Sequence, residues 1–183
     1  MSKLVITLVP VALALMVSAN NSYAASNAQI TISANVSAST CDVSLSSNTL
    51  DLGNWSPSAF GAQTAKPVAG SIKSFTVGLN NCDVPKAAAD KANLIVTGQT
   101  LGGNPNMFNS TGTNTGIMLS QVATPTAYIN NGDKINIATA STPPGVSDFN
   151  TKIVKLQAGV ASSATTADIG EVKAPILFSF AYN

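Results

Sequence analysis

Titratable and nucleophilic side chains that could perform catalysis are few in this chain, and they are scattered. There is no His, so the usual general base and metal ligand is missing. Of the eight acidic residues, Asp168 and Glu171 are a close pair, on either side of Gly170, where a turn favours solvated carboxylates over a catalytic pair. No Ser lies in a Gly-x-Ser-x-Gly elbow. We therefore expect no enzyme activity, no cofactor and no metal.

The two cysteines are the other reactive side chains. An even number of Cys in an exported chain is typical of a disulfide, so we predict a bond between Cys41 and Cys82. Two free thiols or a metal pair are the alternatives. Neither fits an oxidising compartment, and the chain has no His to complete a zinc site. On the loop-entropy model, the bond stabilises the fold by about 4 kcal/mol.

Residues 1–24 predict a cleaved secretory signal peptide. Lys3 supplies the positive start, and the segment Leu4 to Val17 is almost entirely apolar. A membrane span requires about 20 residues, and this segment is shorter. Small residues at positions 22 and 24 favour cleavage after Ala24, with Ala25 as the alternative.

The charge of the mature chain limits its partners. Removing Lys3 lowers the nine basic residues to eight, which equals the eight acidic ones, and there is no Arg. A neutral surface without Arg argues against nucleic acid and anionic lipid as partners. No second apolar segment is long enough for insertion into a membrane.

Short apolar stretches broken by Gly, Pro and Asn predict an all-β sandwich in one domain. The sequence Asn130-Asn-Gly-Asp133 is a strong turn signal, and loops are expected at Gly102–Thr115 and Ser141–Asn150. The predicted strands are Gln29–Ala38, Thr49–Leu52, Ser71–Asn80, Ala92–Thr97, Gly116–Val122, Thr126–Ile129, Lys134–Thr139, Lys152–Val160 and Val172–Tyr182.

The last predicted strand has an apolar residue at every second position, as a strand with one buried face does. These residues are Val172, Ala174, Ile176, Phe178, Phe180 and Tyr182. Leu177 interrupts the alternation, so we expect part of this strand to be covered on both faces. Because chain ends fray unless they are tied down, we expect something to hold this strand.

A second alternating segment, Ala28–Ala38, follows the predicted signal peptide. It is either the first strand of its own sandwich or a strand that completes the sheet of a neighbour. Its inward residues would be Ile30, Ile32, Ala34 and Val36. Burying each Ile or Val would contribute roughly 1.5–3 kcal/mol.

Taken in order, these features resemble the subunits of type 1-like chaperone–usher fimbriae over essentially the whole mature chain. Gly170 is fourteenth from the end and Tyr182 is penultimate, as in the C-terminal signature of that family. The further matching pieces are the alternating extension, Cys41 soon after it, the Asp51-Leu52-Gly53 step, and the strands Phe75–Cys82 and Gly116–Leu119.

The resemblance implies an incomplete immunoglobulin-like β-sandwich, the pilin fold, which a donor strand completes. Residues 25–37 would be the donor-strand extension, and residues 38–183 would be the pilin domain. The donor residues would be Ile30, Ile32, Ala34 and Val36, although the family often has Gly where Ala34 stands. The chaperone-facing and groove-forming edge would comprise Gly170, Val172, Ile176, Phe178, Phe180, Tyr182 and Asn183.

The resemblance also implies partners and a location. A periplasmic pilus chaperone would fill the groove and hold the carboxylate of Asn183 with basic residues. At the outer-membrane usher, the extension of the next subunit would replace the chaperone strand. The product would be a surface fimbria that supports cell adhesion, and the same features fit a major shaft subunit and a minor adaptor.

A single-domain adhesin that binds a host sugar or protein is the alternative. Its contact surface would comprise Trp55, Tyr128 and the loop Gly102–Asn114. Tip adhesins of this class carry a lectin domain before the pilin domain, and this chain is too short to hold one. A tip subunit would also have no use for a donor extension.

Overall fold

The computed structural model describes residues 40–182. The predicted signal peptide, the donor-strand extension and Asn183 lie outside the described residues.

Ten antiparallel strands form two sheets in the described part of the chain, which confirms the predicted all-β sandwich. The larger sheet has the order β1-β2-β9-β6-β5-β4, with β7 also paired to β6, and the smaller sheet has the order β10-β3-β8. The strands are β1 (Asp42–Leu45), β2 (Lys73–Asn80), β3 (Lys91–Gly98), β4 (Thr100–Leu101), β5 (Asn104–Phe108), β6 (Thr115–Gln121), β7 (Thr124–Tyr128), β8 (Lys134–Thr139), β9 (Ile153–Ser162) and β10 (Ile176–Tyr182).

The main core lies between the two sheets, because each strand presents alternate side chains to it. Fully buried apolar side chains from both sheets meet there. Burying each large one contributes roughly 1.5–3 kcal/mol. They include Val77, Leu79, Leu94, Val96, Phe108, Leu119, Phe149 and Leu156.

A second, smaller cluster lies on the outer face of the larger sheet. Met118 alternates with Ile117 and Leu119 along β6, so it points away from the main core. It packs there with Met107 and Ala161. Partly buried residues around this cluster are Ala65, Leu101 and Tyr128.

The predicted disulfide is confirmed. Cys41 and Cys82 are bonded with Cα atoms 4.1 Å apart, and they join the residue before β1 to the first residues after β2. Next to the bond, the Thr40 N–H donates to the Asp83 carboxylate at 3.0 Å, and the Asp83 N–H donates to the Thr40 carbonyl at 2.9 Å. These links fix the four-residue strand β1 against β2.

The predicted turn between β7 and β8 is also confirmed. The Asp133 carboxylate accepts the Asn130 N–H at 2.7 Å. Gly132 has φ 90°, a left-handed conformation that glycine adopts without steric cost.

Two early predictions of local structure are wrong. Thr49–Leu52 is not a strand, and the first described strand is β1, four residues long and partly polar. Four residues are too few for a clear strand pattern, so the structure of β1 depends on its pairing to β2 and on the adjacent disulfide. Within the predicted loop Gly102–Thr115, residues Asn104–Phe108 form β5. Pro105 made this segment read as a loop, but Pro is accepted near a sheet edge.

The start and the covering of the last strand also differ from the predictions. β10 begins at Ile176, four residues later than expected. Leu177 is 62% exposed, so it is not covered on its face of β10. Because β10 belongs to a sheet whose other face packs on the core, the side that Leu177 presents faces solvent.

Candidate functional site

β10 lies at the edge of its sheet among residues 40–182. It pairs antiparallel with β3 from Ile176 opposite Gly98 to Tyr182 opposite Ala92. Among residues 40–182, no strand pairs with its other edge. An edge of this kind presents unpaired N–H and C=O groups to an incoming strand.

The inward side chains of β10 are apolar but only half-buried. Ile176, Phe178, Phe180 and Tyr182 share one face and contact the main core. Phe178 packs edge-to-face against Phe75 of β2, with ring centroids 5.9 Å apart. A cluster that contacts the core and is only partly exposed still leaves some apolar area for a further strand to cover.

A groove of about 1240 Å³ runs beside β10. One wall is β10 together with the preceding residues from Asp168 onward, and the other wall is Leu45 together with the segment that follows β1. Its floor is formed by inward side chains of the larger sheet, Phe75, Ile117, Leu119, Ala158 and Val160. An extended chain laid here could pair with the β10 edge and place alternate apolar side chains on this floor.

The wall after β1 is shaped by the Asp51-Leu52-Gly53 step. The Gly53 N–H donates to the Asp51 carboxylate at 2.8 Å, and Gly53 has φ 87°, which favours glycine. This turn lets the Trp55 indole N–H reach the Leu52 carbonyl at 2.8 Å. The indole lies on Gly70, where an added Cβ would come within 2.6 Å of it. Trp55 therefore forms part of the groove rim.

Asp168 and Glu171 do not form a pair in the structure. The Asp168 carboxylate accepts the backbone N–H and the side-chain amide of Asn114, at 2.9 and 3.1 Å. Glu171 makes an exposed ion pair with Lys173 at 3.0 Å. Asp168 thus holds two segments together, and both residues line the groove without converging on one point.

The end of β10 is tied to the connection between β2 and β3. The Tyr182 hydroxyl donates to the Asp90 carboxylate and accepts the Lys86 N–H at 3.0 Å. Its ring packs edge-to-face on Phe149, with centroids 6.4 Å apart. The Tyr182 hydrogen bond, followed by one from the Ala87 N–H, lowers the pKa of Asp90. The end of β10 is therefore held by the Asp90 carboxylate, which the sequence pattern did not identify.

A second carboxylate organises a loop that does not line the groove. Asp148 accepts N–H bonds from Gly145 and Ser141, both at 2.9 Å, and these bonds lower its pKa. In the described part of the chain, no three His, Cys, Asp or Glu side chains come together as a metal site. No helix within residues 40–182 is long and apolar enough to cross a membrane.

The predicted edge residues divide into three groups. Gly170, Val172, Ile176 and Phe178 line the groove. Phe180 and Tyr182 continue the same face of β10 and contact the core. Asn183 and the predicted donor residues lie outside the described part of the chain.

The predicted adhesin surface is divided: Tyr128 packs against the cluster that contains Met107 of the loop, whereas Trp55 lies beside the groove. The described loop contributes β5 to the larger sheet.

Two solved structures have a similar fold. One is the P pilus rod subunit PapA, with a TM-score of 0.54 and 20% sequence identity, covering 85% of this chain and 99% of that chain. The other is a chain from a chaperone–usher pilus structure, with a TM-score of 0.52 and 18% identity, covering 86% and 96%. The chain has the pilin fold of pilus rod subunits. This finding confirms the fold that the resemblance to chaperone–usher fimbrial subunits implied. No protein-family model matches the sequence, and no curated protein matches it.

Proposed function

We propose that this chain is a structural subunit of a bacterial surface pilus, and that it polymerises by accepting a β-strand from the next subunit. The observation that carries this proposal is the regular edge of β10 beside an apolar groove. β-Strand addition derives affinity from the backbone ladder and specificity from alternate side chains. The proposal assigns no catalytic step to any residue.

The proposed occupant is residues 28–38 of another copy. In this segment, Ile30, Ile32, Ala34 and Val36 are spaced by two residues, which matches the period of a strand with one face on the groove floor. Burial of its three larger side chains would contribute roughly 1.5–3 kcal/mol each. Residues 25–37 are then the donor extension and residues 38–183 the pilin domain.

The proposal requires a partner at each stage before the fibre forms. An exposed apolar groove with a strand edge aggregates if it is left uncovered. A periplasmic chaperone would cover it by pairing with β10 and holding the Asn183 carboxylate, and an outer-membrane usher would be the place of exchange. The assembled fimbria would then support adhesion at the cell surface.

The alternative of a single-domain adhesin has no specific observation in its favour. The Trp55 indole N–H is bonded to Leu52, and its ring lies on Gly70. Tyr128 packs against the methionine cluster. The rings of Trp55 and Tyr128 are thus engaged with their own chain.

Polymerisation of the full chain tests the proposal. The protein would be produced in a periplasm with its chaperone, and polymers would be detected as heat-resistant ladders. Ile30→Lys with Ile32→Lys should abolish the ladders, because two charges would enter the apolar groove. The matched control is Thr31→Lys with Ser33→Lys, which adds the same charge to the opposite face of the segment and should polymerise.

Normal ladders from the Ile30→Lys, Ile32→Lys protein would contradict the donor assignment. A truncated chain without residues 25–35 should remain a chaperone-bound single subunit. If both the full and truncated chains were stable monomers without a chaperone, the sandwich would be complete by itself and the proposal would fail.

A further inference from the structure

The groove wall before β10 belongs to no strand, yet it is held firmly by a neighbouring loop. Residues 168–175 line the groove ahead of β10. Their partner is the segment between β5 and β6, residues 109–114, here named the 109–114 loop. The Ser110 N–H and hydroxyl both donate to the Lys173 carbonyl, at 2.7 and 3.0 Å. The Thr111 hydroxyl donates to the Glu171 carbonyl at 2.7 Å.

A reciprocal contact fixes the far end of this wall. Besides the two bonds that the Asp168 carboxylate accepts from Asn114, the Asp168 N–H donates to the Asn114 side-chain oxygen at 2.9 Å. The Asn114 amide also donates to the Thr166 carbonyl at 2.9 Å. The wall is thereby held at both ends by side chains of one loop.

The loop itself is rigidly organised around a buried amide. Asn109 is 2% exposed, and its amide donates to the backbone carbonyls of Thr113 and Thr115. Its oxygen accepts the N–H and the hydroxyl of Thr111. Buried, fully bonded amides of this kind hold one geometry, because leaving a partner unpaired is costly.

The direction of these hydrogen bonds indicates which backbone groups of residues 168–175 point toward the 109–114 loop and which point away from it. The carbonyls that the loop engages belong to Glu171 and Lys173, two residues apart, which is the repeat of an extended chain. The Asn109 N–H bonds the Gln99 carbonyl just after β3, so the loop lies on the β3 side of the wall. The peptide groups between the engaged ones therefore face the opposite side, on which β10 has no neighbouring strand among residues 40–182.

We propose that the 109–114 loop holds residues 168–175 as an extension of the β10 edge, so that the groove pairs with a strand longer than the seven residues of β10. Thr111 and Asp168 are then positioning residues for strand uptake. This inference rests on the proposed function and names the part of the chain that sets the length of strand bound.

Strand uptake by the full chain tests this inference. The parent protein would carry Ile30→Lys and Ile32→Lys, so that its own extension is not donated. It would be refolded with its disulfide formed, in the presence of a fluorescein-labelled peptide of residues 28–38. The rate of peptide dissociation would be measured by competition with unlabelled peptide, alongside the thermal unfolding midpoint.

Two changes in the wall contacts have matched controls. Thr111→Val, which removes the hydroxyl at nearly constant shape, and Asp168→Ala should each speed dissociation about tenfold. Thr111→Ser keeps the hydroxyl and should behave as the parent. Asp148→Ala removes a carboxylate that fastens a loop outside the groove lining, so it should lower the unfolding midpoint without changing dissociation.

Shorter peptides locate the effect. The peptides of residues 28–34 and 32–38 would occupy different ends of the groove, so only the one beside residues 168–175 should depend on Thr111 and Asp168. Equal dissociation from Asp168→Ala, Thr111→Val and Asp148→Ala would overturn the inference. So would an equal effect on both short peptides, which would mean general destabilisation. Failure of the parent to bind any peptide would instead refute the proposed function, and the inference would fall with it.

Discussion

The sheet edges on the two sides of the sandwich differ in strand length and in Pro content. β10 has seven consecutive residues without Pro, all paired to β3, and its first three residues line the apolar groove. On the far side of the larger sheet, β4 has two residues, and β7 has five with Pro125 among them. β5 contains Pro105 close to that edge.

A Pro has no N–H to give to a ladder, and a short strand offers few groups to pair. The remaining edge of the smaller sheet, β8, begins with Lys134, and its pairing to β3 shifts register between Ala92 and Asn93. Irregular pairing and edge Lys both oppose the addition of a further strand. These edges therefore offer less to an incoming strand than the regular edge of β10 does.

Of the changes proposed on the groove side of the sandwich, removing the disulfide should cause the largest loss of stability. Cys41→Ser with Cys82→Ser frees β1, whose following segment forms the second groove wall. The loss of unfolding free energy should be about 4 kcal/mol. Urea denaturation of the oxidised parent and of the variant measures it, and an unchanged midpoint would show that pairing with β2 alone fixes β1.

A charge on the inward face of β10 should nearly abolish strand uptake. Phe178→Asp places a carboxylate where the ring packs on Phe75, and it should weaken binding of the 28–38 peptide more than about a hundredfold. Leu177→Asp is the matched control on the 62% exposed face. If the two variants bound the peptide equally well, the inward face of β10 would not be the binding face.

Replacing Pro near the edge opposite to β10 restores the missing N–H groups, and this should allow that edge to pair with another strand. In the Ile30→Lys, Ile32→Lys background, Pro105→Val with Pro125→Val should produce concentration-dependent self-association, because one position in the edge strand β7 and one in the strand next to the β4 edge regain N–H donors. Size-exclusion chromatography across a range of concentrations detects it. Pro57→Val, within a short 3-10 turn, is the control that should remain monomeric. Monomers from both variants would show that strand length, and not Pro, protects this edge.

The smallest expected effect concerns the hydrogen bond between Tyr182 and Asp90 at the end of β10, and it depends on pH. The pKa of Asp90 is lowered in the folded chain, so its contribution to stability is present above the unfolded pKa of about 3.9 and is lost as pH falls through the folded value. Tyr182→Phe removes the first cause and should lower the unfolding midpoint at pH 7 by about 2–4 °C. The difference between parent and variant should shrink as pH falls below about 4, the ordinary pKa of an Asp carboxyl. A difference that stays constant across this range would exclude Asp90 as the partner that matters.

Local patterns were sufficient to predict some features of the fold. The turn at residues 130–133 follows from Asn and Gly chemistry within four neighbouring residues. The inward face of β10 follows from its alternation. The disulfide follows from the presence of two cysteines in an exported chain. Each of these depends on residue types and spacing that the sequence displays directly.

Other features arise from contacts between distant residues, so no local pattern reveals them. β1 is too short and polar to be recognised, and its structure depends on Leu79 and its neighbours across the sheet. Leu177 looked like a residue of a doubly covered strand, but the sheet has a solvent face there. Asp90 meets Tyr182 across 92 positions of sequence.

By itself, the sequence determined that this chain forms antiparallel strands with apolar faces, that a disulfide links its two cysteines, and that its last strand has one inward face. Side-chain period and turn chemistry are local properties, and they act before any tertiary contact forms. Only the tertiary structure decided which of the described strands lie at the sheet edges, how the 109–114 loop holds the wall before β10, and where the groove lies. These features depend on which strands become neighbours, and that order is set when the two sheets pack their apolar faces together.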